Sequence, residues 1–293
     1  MKTTIVTMFF NLKKLKDTTT ETRNMDFYIK NSMNVLRLKY PMVIFCSEET
    51  YIPLKKIRDT EVDSNEVPTE YIIRNIEDYD HYKLNWQIMT ENRTIYPCFD
   101  NRSTVSYGLL TMFKPIALCI AHTKNFFNST HYAWIDLGCN HIVRNFDKYA
   151  PLMIENPNPK VSVCYIHYRS HEELKDIKNY VTKGYCGIAA TAFTVEANYI
   201  YKFYNSMFSI FNEHLFNNVG HTEETVMTYC YDKYPEIFNI YYGDYYSVFT
   251  NYHRPIEDEN SIKQFFINEA INKGRPDLAN DAIQKMMSNL DVI

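Results

Sequence analysis

The hydrophobic pattern changes period several times along the chain, and each change predicts an element. Residues 3–10, Thr-Thr-Ile-Val-Thr-Met-Phe-Phe, form a short β-branched and aromatic run that predicts a buried first strand. A basic loop follows, Asn11-Leu-Lys-Lys-Leu-Lys16, then N-cap candidates in Asp17-Thr-Thr-Thr-Glu21. Ile29, Met33, Leu36 and Tyr40 recur at helical spacing until Pro41 stops them. Met42-Val-Ile-Phe-Cys46 is wholly apolar, which predicts a strand buried on both faces and parallel to the first. Strand, helix and strand within 45 residues make a βαβ unit, and Tyr51–Arg58 predicts a short helix. From 60 to 100 acids, aromatics and Trp86 alternate without a clear period, which predicts irregular or short helical structure across a sheet edge.

Asp100-Asn-Arg-Ser103 caps the next helix, whose buried face carries Leu109, Met112, Phe113, Ile116, Ala117 and Ile120; Pro115 should kink or split it. Tyr132–Leu137 predicts a strand that carries Asp136 to its end, with Gly138 following. Beyond the Pro157-Asn-Pro159 loop, Val161–Tyr168 alternates like a half-buried strand, and 171–180 reads as charged and exposed. Gly184–Ala192 combines glycines with small residues and permits close approach of a ligand or another backbone. A long helix runs from Glu196, with Ile200, Phe203, Met207, Ile210, Phe211 and Leu215 on one stripe. Thr222 predicts the N-cap of another helix, closed by Pro235. Residues 238–253 are rich in strand formers around a Gly243-Asp244 turn, and 261–293 predicts two short amphipathic helices around Gly274-Arg-Pro276. The whole is an α/β pattern.

Composition narrows the function classes. The 293 residues are 45% hydrophobic and 23% charged, as in ordinary globular chains, with a formal net charge of −4. Neither that charge nor any Lys/Arg patch points to nucleic acid. The seven cysteines show no C-x-x-C spacing, which predicts neither a zinc site nor a disulfide framework but thiols in a reducing compartment. The amino-terminal apolar run is too short for a signal core, and no apolar run reaches a membrane span, so a cytoplasmic protein with no transmembrane segment is expected. No P-loop, G-x-G-x-x-G, H-E-x-x-H or G-x-S-x-G is present, which weakens kinase, dehydrogenase, protease and esterase readings.

The candidate chemistry centres on Asp136. A strand-end carboxylate can ligate Mg²⁺ or Mn²⁺ bridging a diphosphate; it can equally be the acid of an Asp-Leu-Gly turn. Metal-dependent sites of this kind usually pair two acids, so a lone Asp136 needs a companion, for which His141 and His253 are candidates. Glu223 and Glu224 in a first helical turn either serve the helix dipole or face a cleft as a general base or acceptor contact. Lys114, Arg102 and Arg58 are possible phosphate partners, with surface solvation as the alternative.

The order of these pieces resembles a known family. Thr4-Ile-Val-Thr-Met-Phe-Phe, Pro41-Met-Val-Ile-Phe, Tyr107 to Lys114-Pro115, Ala133-Trp-Ile-Asp-Leu-Gly138, Glu223-Glu224, and Tyr242-Gly-Asp-Tyr-Tyr with Asn251-Tyr252 are together similar to the HtrL/YibB (WlaTC) family, whose members are thought to be glycosyltransferases. The resemblance covers roughly residues 3–253. It implies a GT-A-like fold: a mixed, mostly parallel central sheet flanked by helices, in a single domain over 1–256 with a nucleotide-binding half (1–138) and an acceptor-binding half (139–256), followed by a helical extension (257–293). By that resemblance Thr7, Phe9 and Phe10 border the nucleotide, Lys114 faces the donor, Asp136 takes the metal-binding position, Glu223-Glu224 lie on the acceptor side, and His253 approaches the metal. It implies a nucleotide-sugar donor, with UDP favoured, a hydroxyl acceptor such as a glycan, and Mn²⁺ or Mg²⁺. The alternative from another class is an inactive GT-A-like protein that binds a nucleotide or glycan, or acts as a scaffold. A nucleotidyltransferase would need a second paired acid.

Overall fold

The structure, a computed structural model, describes residues 2–98, 100–253 and 262–287. Seven strands form one sheet: β1 (Thr3–Phe9), β2 (Met42–Cys46), β3 (Thr69–Ile73), β4 (His131–Ile135), β5 (Val161–Tyr165), β6 (Ile188–Glu196) and β7 (Phe238–Tyr242), in the order 3-2-1-4-6-5-7. Neighbours are parallel except where β6 runs against β4 and β5. The expected mixed, mostly parallel sheet flanked by helices is therefore present. The chain first builds outward from β1 to β2 and β3, then returns to place β4 on the other side of β1. This reversal makes the carboxyl ends of β1 and β4 the topological switch point, where open α/β sheets bind ligands.

Alternation along the central strands separates two cores. Val6, Val43, Phe45, Tyr132 and Trp134 face one side, covered by α3 (Asp80–Ile95), α4 (Val105–Thr111), α5 (Lys114–Lys124), α9 (Ile200–Phe216) and α10 (Glu223–Lys233). Ile5, Met42, Ile44, Ala133 and Ile135 face the other, beneath α1 (Met25–Leu36), α2 (Glu48–Glu61) and α6 (Phe146–Glu155). Strands buried on both faces cannot alternate in polarity. Val161–Tyr165 is an exception: it alternates, yet it is buried throughout rather than half-buried, with Ser162 bonded by Asn158 Nδ2 at 3.4 Å.

The chain departs from the sequence reading in three places. Residues 60–100 hold an edge strand, β3, and the sixteen-residue α3, not irregular structure. β3 is only partly buried, and α3 mixes a buried Tyr82, Met89 and Asn92 with polar neighbours, so neither shows a clean period. The small-residue run at 188–196 is the antiparallel β6; its Gly187 approach is to a helix, since a Cβ there would lie 2.6 Å from Thr228 Cγ2 of α10. Residues 171–182 form two short helices, α7 (His171–Lys175) and α8 (Ile177–Thr182), with Tyr180 buried. Pro115 does split its helix: α4 and α5 are separate, with the proline in the first turn of α5, where its missing N–H costs nothing. Residues Val105–Lys124 are long and apolar enough to cross a membrane, yet they are core helices packed on β1, β4 and α9. The helical tail is present as a π-helical turn (Lys263–Ile267) and helices Asn268–Asn272 and Pro276–Met287, while the expected domain boundary at 256/257 lies outside the described residues.

Arg58 has a role unlike the one its charge suggests. It is buried in α2, where Nη1 donates to the carbonyls of Leu36 (2.6 Å) and Leu38 (2.5 Å), Nη2 to Tyr40 (2.9 Å) and Nε to Thr69 Oγ1 (3.0 Å). It satisfies the carbonyls left over where α1 ends, so the expected phosphate contact is corrected to a structural one. Arg58→Ala strands three carbonyls and should cost about 3 kcal/mol or more. Chemical denaturation will read that loss.

Candidate functional site

The end of β4 sets the geometry. Side chains two apart on a strand share a face, so Trp134 and Asp136 both point toward α5 and α10, and the Trp134 indole N–H donates to Asp136 Oδ1 at 2.7 Å. The Asp136 amide donates to the Thr191 carbonyl on β6 (2.8 Å), and its carbonyl accepts from Cys139 (3.0 Å). The turn is tight enough that a Cβ on Gly138 would meet the Tyr28 ring at 2.9 Å.

Lys114, at the start of α5, joins the elements. Its ammonium is 2.8 Å from Asp136 Oδ1, 2.7 Å from Glu223 Oε1 and 2.9 Å from the Ala190 carbonyl, so all three protons are donated. Lys114 and Glu223 are buried, whereas the Asp136 side chain keeps 36% exposure and lines the cavity described next. Burial opposes the Lys114 charge, but Asp136 and Glu223 overcome it and raise its pKa. Burial raises the Asp136 carboxyl above its ordinary value; Lys114 pulls it back and Glu223 pushes it up again.

Glu224, the next residue of α10, is held separately. Its Oε1 accepts from the Ala190 amide (3.0 Å) and its Oε2 from the Tyr245 hydroxyl (2.7 Å). Burial first, and then Glu223, push its carboxyl up to about 7. Thr228, one turn on, accepts from the amides of Gly187 and Ile188 and donates to the Glu224 carbonyl, fixing α10 to the start of β6.

These groups line a cavity of 530 Å³ at the carboxyl ends of β1 and β4. Of the residues predicted from sequence, Phe9, Phe10, Arg102, Lys114, Asp136, His141, Glu223 and Glu224 line it. Arg102 is bound through Nε and Nη2 to Asp100 (2.6–3.1 Å). Thr7 does not reach the cavity: it is fully buried, and its hydroxyl donates to the Ile135 carbonyl at 2.7 Å, tying β1 to β4. His253 is not on a strand and does not line the cavity. Its Nε2 lies 3.3 Å from the Leu152 carbonyl of α6, and its neighbour Tyr252 bonds Asn158 and Thr194, toward the opposite edge of the sheet. The expected metal pair of Asp136 and His253 is thus not brought together. Among the described residues no three His, Cys, Asp or Glu side chains converge as a metal site.

Sequence reasoning missed Arg23, Tyr28, Tyr107, Cys186, His221 and Tyr245, all of which line the cavity. The Trp134–Asp136 spacing of two was legible; the approach of Tyr245, 21 residues beyond Glu224, carried no local signal. Lys114→Met should leave Asp136 and Glu223 facing each other without a counter-charge. The Asp136 carboxyl, already raised by burial, loses the ammonium that pulls it back and rises further, so the penalty grows with pH: roughly 3–5 kcal/mol at about pH 8 and much less at about pH 5. Denaturant midpoints at the two pH values will measure it.

In comparisons with solved structures, the chain is similar to mouse xyloside xylosyltransferase 1 in its apo form (12% identity, 82% of this chain and 85% of that one, TM-score 0.46). It is likewise similar to core-mannan synthase A of Aspergillus fumigatus in a Mn/GDP form (12%, 83% and 72%, TM-score 0.48) and to a mannosyltransferase of S. cerevisiae (12%, 82% and 68%, TM-score 0.45). At this distance the likenesses carry no function. No curated protein sequence matches the chain. Over residues 1–254 it matches the family described as "Bacterial protein of unknown function (HtrL_YibB)", and the chain belongs to the HtrL_YibB family.

Proposed function

We propose that the protein is a glycosyltransferase of GT-A-like fold, moving a sugar from a nucleotide-sugar donor, with UDP-sugars favoured, to a hydroxyl acceptor such as a glycan. The observation that supports it is the convergence of Asp136, Lys114, Glu223 and Glu224 in one cavity at the switch point of the sheet. Glu224 is the base in this reading. With a pKa of about 7 it is substantially ionised near neutrality and still basic enough to accept a proton. It takes the proton of the acceptor hydroxyl as the acceptor oxygen bonds the anomeric carbon, and the bond from that carbon to the diphosphate oxygen breaks. Tyr245 and the Ala190 amide orient the carboxylate. Lys114 and Glu223 act as positioning residues that fix Asp136 at the cavity floor.

A second reading, a protein that binds nucleotide or glycan without catalysis, draws on one observation: Lys114 already neutralises much of the acidic charge. Donor turnover separates the two. The transferase reading expects hydrolysis or transfer of a UDP-, GDP- or CMP-sugar, with kcat/KM rising about tenfold per pH unit up to about pH 7 and levelling above it. Glu224→Gln should lower kcat by roughly 10²–10⁴-fold while donor affinity is kept. Donor binding without turnover would favour the second reading, and a flat pH profile or an active Glu224→Gln would remove Glu224 from the base role.

A further inference from the structure

The geometry points to a nucleoside diphosphate held through Arg23 rather than through a divalent cation at Asp136. This rests on the donor reading above and concerns how the same cavity grips its ligand.

Asp136 is poorly placed for a dication. Its Oδ1 is taken by the Lys114 ammonium and the Trp134 indole, so one carboxylate oxygen faces the cavity. A cation on that oxygen would share the carboxylate with a buried ammonium. Mg²⁺ demands near-ideal octahedral geometry, and among the described residues no three ligating side chains converge here: the nearby Glu223 is held by Lys114, His253 is elsewhere, and both nitrogens of His141 are spent. The His141 Nδ1 is 2.5 Å from the Gly138 carbonyl, so that nitrogen must carry the proton and donate it. Its Nε2 is then bare and accepts from Arg23 Nη1 at 2.9 Å.

The same chain of bonds fixes Arg23. Gly138 belongs to the turn that carries Asp136, so His141 ties the guanidinium to the strand end at the switch point. Below the guanidinium, 4.5 Å away, lies the Phe27 ring. Of the three Lys and Arg side chains that line the cavity, Lys114 is paired with Asp136 and Glu223, and Arg102 with Asp100; Arg23 has no carboxylate partner among the described residues. A guanidinium without a carboxylate partner, held by the His141 imidazole and by Tyr28 and open to a cavity, is preorganised for contact with phosphate oxygens.

Calorimetric titration of the full chain with UDP, GDP, pyrophosphate and the matching nucleosides, in EDTA and again in Mn²⁺, tests this. UDP or GDP should bind equally well in both buffers. Arg23→Ala should weaken the diphosphate by roughly 10–100-fold, leave the nucleoside unchanged, and Arg23→Lys should recover part of the loss. Thermal melting of each variant will separate a lost contact from a lost fold. Diphosphate binding that disappears in EDTA and returns with Mn²⁺ would overturn the inference. So would an Arg23→Ala protein that binds diphosphate as the parent does, or a parent that binds none of these ligands. A protein that binds UDP through Arg23 in EDTA but turns over no nucleotide sugar keeps this inference and loses the transferase reading. One that transfers sugar only with Mn²⁺ keeps the activity and loses the inference.

Discussion

A buried ammonium between two carboxylates holds the site together. Lys114 cannot sit inside the protein as a charge unless its three protons are bonded and its charge is met. Asp136 just beyond β4, Glu223 on α10 and the Ala190 carbonyl on β6 meet both demands at 2.7–2.9 Å. Three elements distant in sequence are thereby held in one arrangement around α5. The converse also holds: Asp136 and the buried Glu223 stand close together because the lysine lies between them. With Glu223 so held, the next residue of α10 faces the cavity, and burial beside Glu223 raises Glu224 to about 7. The candidate base therefore owes its basicity first to burial and then to Glu223, one member of the cluster that holds the scaffold, while Lys114 pulls it back.

The sheet decides where this cluster stands. β1 is flanked by β2 and β4, and the reversal of strand order there opens a crevice at their carboxyl ends. The antiparallel β6 brings the amide and the carbonyl of Ala190 to the same place, the one donating to Glu224 and the other accepting from Lys114. One backbone residue thus serves both charged centres. On the far side of the turn, Gly138, His141 and Arg23 form a second chain of bonds, so the cavity is lined both by acids and by a guanidinium that has no carboxylate partner among the described residues.

Much of this was legible from local pattern. The fully apolar run at 42–46, the split at Pro115 and the strand ending in Asp136 each depend on near neighbours, and each is where the pattern puts it. Lys114 and Glu223-Glu224 were legible as charges beside apolar runs, although not as one cluster. The rest was hidden for physical reasons. β3 is an edge strand and α3 a helix of mixed polarity, so neither leaves a clean period. Arg58 looks like any helical arginine until the carbonyls of Leu36, Leu38 and Tyr40 are known to end beside it. His253 follows a strand-like composition that in the fold is a strand only to Tyr242 and then a series of turns. Arg23 and Tyr245 acquire meaning only through contacts more than 20 residues away.

A crystal structure of the protein with UDP or GDP bound would test the account most directly. It should show the diphosphate at the carboxyl ends of β1 and β4, in contact with the Arg23 guanidinium, with Lys114 still bridging Asp136 and Glu223 and the Glu224 carboxylate left open to an acceptor. A nucleotide seated elsewhere on the molecule, or a Lys114 drawn out of its bridge to bind the phosphates, would contradict it.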